Sequence, residues 1–171
     1  IAGYLHEKLV LLEYFGDKHT FCDSTRTDGN GWFSFSLAEG APSGLYSLAI
    51  GKRPLFNFIF NQDDVTLKFD PGKSNVPEFI YSAENLIYYD YLARMDQYAQ
   101  KSGLLLDILQ YYPSRDTFYT YTALHFQRLQ ASLRIYTDRI LSEYPGTLAA
   151  HIVRSDRPVM VPADTDWGNY L

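Results

Sequence analysis

The spacing of apolar residues changes once along this chain, close to residue 80, and that change constrains the fold more than any other feature. Up to about residue 81 the chain consists of short alternating segments separated by Gly, Pro, Asn and Asp. Such segments are typical of antiparallel strands. From Ser82 onward, apolar residues recur every three or four positions, as on one side of a helix. The sequence therefore predicts an α+β fold, with strands first and helices second.

The first half contains six clear alternating segments. They are residues 8–14, 19–25, 31–37, 45–50, 55–60 and 65–69, and the opening residues IAGYL also look like part of a strand. Short strands at this spacing predict an antiparallel β-sandwich of about seven strands over residues 1–81. Because a domain rarely begins inside a strand, we expect a further piece to precede the given sequence.

The second half predicts a helical domain over residues 82–155, with three to four helices. Ser82 is the expected N-cap of the first helix, and Pro113 stops a short second one over residues 104–112. Ser114 or Asp116 caps a long third helix, and residues 148–154 form a short last one. The stripe of the third helix is Tyr119, Thr122, Phe126, Leu129, Leu133, Tyr136 and Ile140. Residues 156–171 are predicted to be a tail, or a linker to a domain that is not present in this chain.

Charge and cysteine content exclude several classes of function. The formal net charge is -5 and Lys and Arg do not cluster, which argues against nucleic acid as a partner. No apolar run approaches the roughly 18 residues of a membrane span. Cys22 is the only cysteine, so the chain carries no internal disulfide and no CxxC pair.

Acidic turns are the only candidates for metal or acid–base chemistry. The turn Asp28-Gly29-Asn30-Gly31 lacks the remaining ligands of an EF-hand loop and is better explained as a tight turn. Asp17, His19 and Asp23 have no standard metal-ligand spacing, and Asp63-Asp64 suits a strand-to-strand turn. A hydrolase that uses these carboxylates is therefore only a weak alternative.

No familiar catalytic motif is present. His125 and His151 lie in helical segments, where a lone histidine is usually structural, and Cys22 has Asp23 beside it, which disfavours a thiolate. We therefore predict no catalytic residue, no metal and no cofactor for this chain, and expect that it is not an enzyme by itself.

Aromatic residues are the strongest indication of binding. They make up 16% of the chain, with 15 tyrosines, and aromatic rings with a polar tip suit contact surfaces. Alternation places Phe33 and Phe35 on one face and Trp32 on the other. The predicted interaction surface consists of Trp32, Tyr46, Tyr88 and Tyr91.

Several motifs together resemble one bacterial domain. They include Gly16-Asp17-Lys18, Asp23-Ser24-Thr25, Asp28-x-x-Gly31-x-Phe33-x-Phe35, Gly44-Leu45-Tyr46, Ser82-x-Glu84-Asn85 with Tyr88, Tyr89 and Tyr91, Glu143-Tyr144-Pro145 and Asp164-Thr165-Asp166-Trp167. The chain resembles the N-terminal domain, of unknown function, that precedes the thioredoxin-like (redoxin) domain in exported or lipid-anchored thiol-disulfide oxidoreductases of Gram-negative bacteria.

The resemblance implies an accessory role outside the cytoplasm, in the periplasm or on the cell envelope. In such proteins the catalytic CxxC belongs to the C-terminal thioredoxin-like domain, so no catalytic residue carries over to this chain. The implied partners are that domain, a substrate protein or a second protomer. The alternative is a free-standing surface module that binds carbohydrate or peptide through its exposed aromatic residues.

Overall fold

The computed structural model describes residues 1–15, 18–162 and 165. Within these residues the chain forms six strands followed by three helices. The elements are β1 Lys8–Phe15, β2 Lys18–Arg26, β3 Gly44–Ile50, β4 Arg53–Phe60, β5 Thr66–Lys68, β6 Glu78–Tyr81, α1 Ala83–Tyr111, α2 Thr117–Glu143 and α3 Leu148–Asp156. The predicted α+β class and the order of strands before helices are confirmed.

The chain divides into two compact units, Ile1–Leu86 and Ile87–Leu171. The first unit contains all six strands and the first turn of α1. The second contains the rest of α1 together with α2 and α3. The predicted turn at Gly16-Asp17 and most of the predicted tail motif 164–167 lie outside the described residues.

The first unit is built on a four-stranded antiparallel sheet in the order β2-β1-β3-β4. In its register Leu11 lies opposite Leu48, and Leu48 lies opposite Phe56. Because side chains alternate across a strand, these three residues share one face of the sheet. Leu9, Leu48, Phe56 and Phe69 form the buried cluster on that face.

The predicted strand over residues 31–37 is wrong. This segment joins no sheet, although Phe33 and Phe35 pack against the sheet cluster and Trp32 remains exposed. The alternation therefore identified the buried side correctly. It failed to identify pairing, because a period of two reports which face is buried and not whether a neighbouring strand is present.

The predicted count of about seven strands is also wrong, since the described residues contain six. A separate two-stranded sheet pairs β5 with β6, a strand that alternation did not indicate. β6 has only four residues, Glu78–Tyr81, of which Phe79 alone is buried. Such a short segment gives too few positions for a period to be recognised.

The first turn of α1 is attached to the edge strand β4 through one buried side chain. The Asn85 Oδ1 accepts from the Ile59 N–H and the Asn85 Nδ2 donates to the Ile59 carbonyl, both at 2.7 Å. Asn85 thus replaces a neighbouring strand at that position. The Ser82 Oγ accepts from the Asn85 N–H at 3.3 Å, as expected for the predicted N-cap.

α1 is one helix of 29 residues, where the sequence predicted two. The predicted break fell near Gly103, but glycine in a helix interior costs only about 1 kcal/mol relative to alanine. Packing on both sides of Gly103 outweighs that cost, since Tyr91 and Leu109 are both buried.

The other two helices begin where the sequence places them. The Asp116 carboxylate caps α2 by accepting from the Phe118 N–H at 2.7 Å. The Thr147 hydroxyl caps α3 by accepting from the Ala150 N–H at 3.1 Å. The predicted stripe of α2 is its inner face, with Phe126, Leu133 and Ile140 among its buried members.

Among the described residues of the second unit, two buried clusters are formed. The larger consists of Tyr91, Leu133, Tyr136, Ile140, Ala150 and Val153. The smaller consists of Leu109 and Phe126, with Tyr119, Ala123 and Val161 packed against them. Residues of α1 and α2 contribute to both clusters.

Candidate functional site

Asp28 organises the turn that carries the most conspicuous sequence motif. Its Oδ1 accepts from the Asn30 N–H at 2.7 Å and from the Trp32 N–H at 2.9 Å. These two backbone donors, that of Trp32 first, lower the pKa of the Asp28 carboxyl. The turn is thus stabilised by a charged acceptor, and Trp32 is attached directly to it.

Gly31 is required in this turn for two reasons. Its φ of 79° lies in the left-handed region, which disfavours residues with a side chain. A Cβ at this position would also lie 2.3 Å from the Ile1 carbonyl oxygen. The backbone directly before Trp32 is therefore fixed.

Trp32 is the member of the predicted interaction surface that is available to a partner. Its side chain is 74% exposed, while its neighbour Phe33 packs into the sheet cluster. A large aromatic ring on a fixed backbone loses little conformational freedom on binding, which suits a contact site.

The other three residues of that predicted surface are buried, so the expected four-residue aromatic surface is not formed. The Tyr46 hydroxyl donates to the Pro42 carbonyl at 2.8 Å, and its ring packs against Phe60. Tyr88 and Tyr91 are also buried. These regularly spaced tyrosines therefore belong to the core. The ring supplies apolar area, and a hydrogen bond to a nearby oxygen satisfies the hydroxyl, as in Tyr46 and Tyr91.

Tyr91 illustrates this structural role. Its hydroxyl donates to the Asp156 carboxylate at 3.0 Å and so connects α1 to the end of α3. Burial raises the pKa of Tyr91, and the bond to Asp156 raises it further. The hydroxyl is thus a permanent donor, which fits a structural contact.

Sequence reasoning missed an apolar surface on the second unit. An open groove of about 350 Å³ lies between α1 and α2, lined by Leu105, Tyr121, Thr122, Leu124, His125 and Arg128. Three side chains that lie close in sequence to the lining residues, or among them, are each at least 72% exposed: Leu104, Tyr111 and Tyr121. The sequence does contain a signal for this surface, because Leu104, Tyr111 and Tyr121 fall outside the apolar stripes that form the buried faces of α1 and α2. His125, expected to be structural, is exposed in this groove.

Among the described residues, the acidic turns do not form a recognisable metal site. Asp28 lies between β2 and β3, whereas Asp63 and Asp64 lie between β4 and β5, all three exposed. His19 packs edge-on against Tyr14, with ring centroids 4.6 Å apart. Across the residues that the structure describes, no group of three or more His, Cys, Asp or Glu is placed to hold a metal ion.

Cys22 lies at an irregularity in the exposed edge strand β2. Leu11 pairs with Asp23 and Leu12 with Phe21, so Cys22 is the extra residue of a bulge. Partial burial raises the pKa of the thiol, and the carboxylates of Glu13 and Asp23 also raise it. The expectation that this environment disfavours the thiolate is confirmed in direction, and the Cys22 side chain is half-buried.

Comparison with known proteins assigns no family. No family model matches the chain, and neither a curated protein nor a solved structure matches it. The resemblance to the domain that precedes thioredoxin-like domains therefore stays a prediction. In the described part of the chain, no helix is long and apolar enough to cross a membrane.

Proposed function

We propose that this chain is a non-catalytic accessory module of an extracytoplasmic thioredoxin-like thiol-disulfide oxidoreductase. It would position the redox domain, or that domain's protein partner, through a contact made by its first unit. The proposal rests on the sequence motifs that resemble the domain preceding such redox domains. The disulfide chemistry would belong to the redox domain, because Cys22 has no second cysteine in this chain.

The observation that carries the proposal is the geometry of the Asp28–Trp32 turn. The motif residues Asp28 and Gly31, which contribute to the resemblance, fix the backbone that presents Trp32. The other motif residues Phe33 and Phe35 hold the same segment against the sheet. An exposed tryptophan supported in this way has the properties of a binding hot spot.

The experiment is a binding titration with a purified extracytoplasmic thioredoxin-like domain that carries CxxC. We expect Trp32→Ala to weaken binding about 30-fold, which corresponds to a hot-spot contribution of about 2 kcal/mol. The matched control is Tyr81→Ala, which removes another aromatic ring of the first unit that is 70% exposed. Equal affinity of wild type and Trp32→Ala, or equal losses in the two variants, would contradict the proposed contact.

The second candidate is a free-standing module that binds carbohydrate or peptide. The same exposed indole favours it, because a flat aromatic ring can stack on the apolar face of a sugar. Screening oligosaccharides and short peptides by tryptophan fluorescence separates the two candidates. A ligand-dependent change that disappears in Trp32→Ala would support this second function, whereas its absence across the screen would argue against it.

A further inference from the structure

The segment Arg157–Pro162, which comes directly after α3, runs along α2 and is called the strap here. It has no helix or strand partner of its own. Its side chains and backbone nevertheless make specific contacts in the second unit. These contacts distinguish it from an ordinary surface loop, which is more mobile than the elements it connects.

Gln130 binds both backbone groups of one strap residue. Its Oε1 accepts from the Val161 N–H at 2.7 Å, and its Nε2 donates to the Val161 carbonyl at 3.2 Å. Gln130 is only 5% exposed. If the strap left, this buried amide would lose both partners, and an unpaired buried amide is costly.

The strap makes apolar contacts with both of the clusters described above. Met160 packs against the larger cluster and Val161 against Leu109 and Phe126 of the smaller one. Val159 points to solvent. Met160 and Val161 therefore attach the strap to the unit, whereas Val159 faces solvent.

The start of the strap is fixed as well. The Tyr91 hydroxyl bonds Asp156, immediately before the strap, and the Arg157 guanidinium bonds the Asp138 carboxylate. This last pair is partly exposed and contributes little alone. It does, however, place Arg157 at Asp138 while Val161 lies at Gln130.

The spacing of these contacts fits an extended strap. Between Arg157 and Val161 the chain advances four residues, about 13 Å of extended backbone. Between Asp138 and Gln130 the helix advances eight residues, about 12 Å along its axis. The two lengths are similar, so an extended strap reaches from one anchor point to the other.

We propose that the strap fixes the point at which the chain leaves the helical unit, with Gln130 as its positioning residue. The chain after Pro162 then begins at a defined place on α2. Whether the strap is held in place does not depend on the proposed function. Its use rests on that function, because a redox domain that follows in the chain would be tethered from a defined place on α2.

The test measures the order of the strap in the whole chain. A nitroxide is attached to Val159→Cys in a Cys22→Ser background, and the exchange rate of the Val161 amide proton is measured by NMR on a separate sample without the nitroxide. We expect a restricted nitroxide and a protected amide. Gln130→Leu should release the label and raise the Val161 exchange rate about ten-fold, the effect of losing one well-formed hydrogen bond.

The matched control is Gln100→Leu, since the Gln100 Nε2 donates to the Asp96 carboxylate of its own helix at 2.8 Å. It should leave both readouts unchanged. Met160→Ala serves as a second release variant if Gln130→Leu fails to fold, because it removes the packing of the strap against the larger cluster. A freely mobile label and an unprotected Val161 amide in the wild type would overturn the proposal. An ordered strap in a chain that binds no redox domain would instead contradict the proposed function alone.

Discussion

Two amide side chains have the same role at different places in this molecule. Asn85 binds both backbone groups of Ile59, and Gln130 binds both backbone groups of Val161. In each case a helix residue binds backbone groups of a segment that has no strand on that side. Backbone groups removed from water require such partners. Asn85 therefore fixes where α1 contacts β4, and Gln130 fixes where α2 contacts the strap.

Asn85 provides the sharpest test at the residue scale. Asn85→Ala leaves the buried Ile59 N–H and carbonyl without their partner, so we expect the free energy of unfolding to fall by about 3 kcal/mol. Urea denaturation measures the change. Asn75→Ala, at an exposed position, is the control and should shift stability by less than about 0.5 kcal/mol. A loss as small as that of the control would show that the Asn85 contact is dispensable.

Cys22 gives a pH-dependent prediction. The folded environment raises the pKa of the thiol, so its reactive thiolate should appear at higher pH than in the unfolded chain. The rate of iodoacetamide alkylation, followed against pH with and without denaturant, tests this. The midpoint should be higher for the folded protein. A lower midpoint would indicate an activated thiol and would reopen a redox role for Cys22.

At the scale of elements, local signals predicted better than long-range pairing. Asp116 caps α2 because its carboxylate needs only a backbone N–H two residues away, and that chemistry is visible in the sequence. Strand pairing of residues 31–37 depends on a neighbour that is distant in sequence, and no local pattern reports it. The prediction of the binding surface failed for a related reason, because regular spacing marks Tyr46 and Tyr91 equally well as core.

Two glycines have opposite roles in their elements. A Cβ at Gly103 would meet nothing within 4 Å, so Gly103→Ala should stabilise α1 by about 1 kcal/mol. Gly31→Ala should destabilise by about 2 kcal/mol, because positive φ costs alanine about 1–2 kcal/mol and the Ile1 carbonyl lies in the way. Chemical unfolding of both variants checks the signs. Stability changes of the same sign in the two variants would contradict these roles.

At the scale of the whole molecule, the chain combines two units with different surfaces. The strand unit presents Trp32 on a fixed turn, and the helical unit presents an apolar groove and an extended strap. The order of strands before helices was predictable from the change of period near residue 80. The exposed surfaces were predictable only in part: alternation placed Trp32 opposite the buried Phe33 and Phe35, but it did not separate the buried Tyr46 and Tyr91 from exposed aromatic residues.

An accessory role beside a thioredoxin-like domain is tested most directly by sequencing the natural polypeptide past Leu171 and measuring its intact mass. We expect a continuation that carries a WCxxC-type motif in a thioredoxin-like domain. A polypeptide that stops at Leu171 would contradict the accessory role and would favour the alternative of a free-standing binding module.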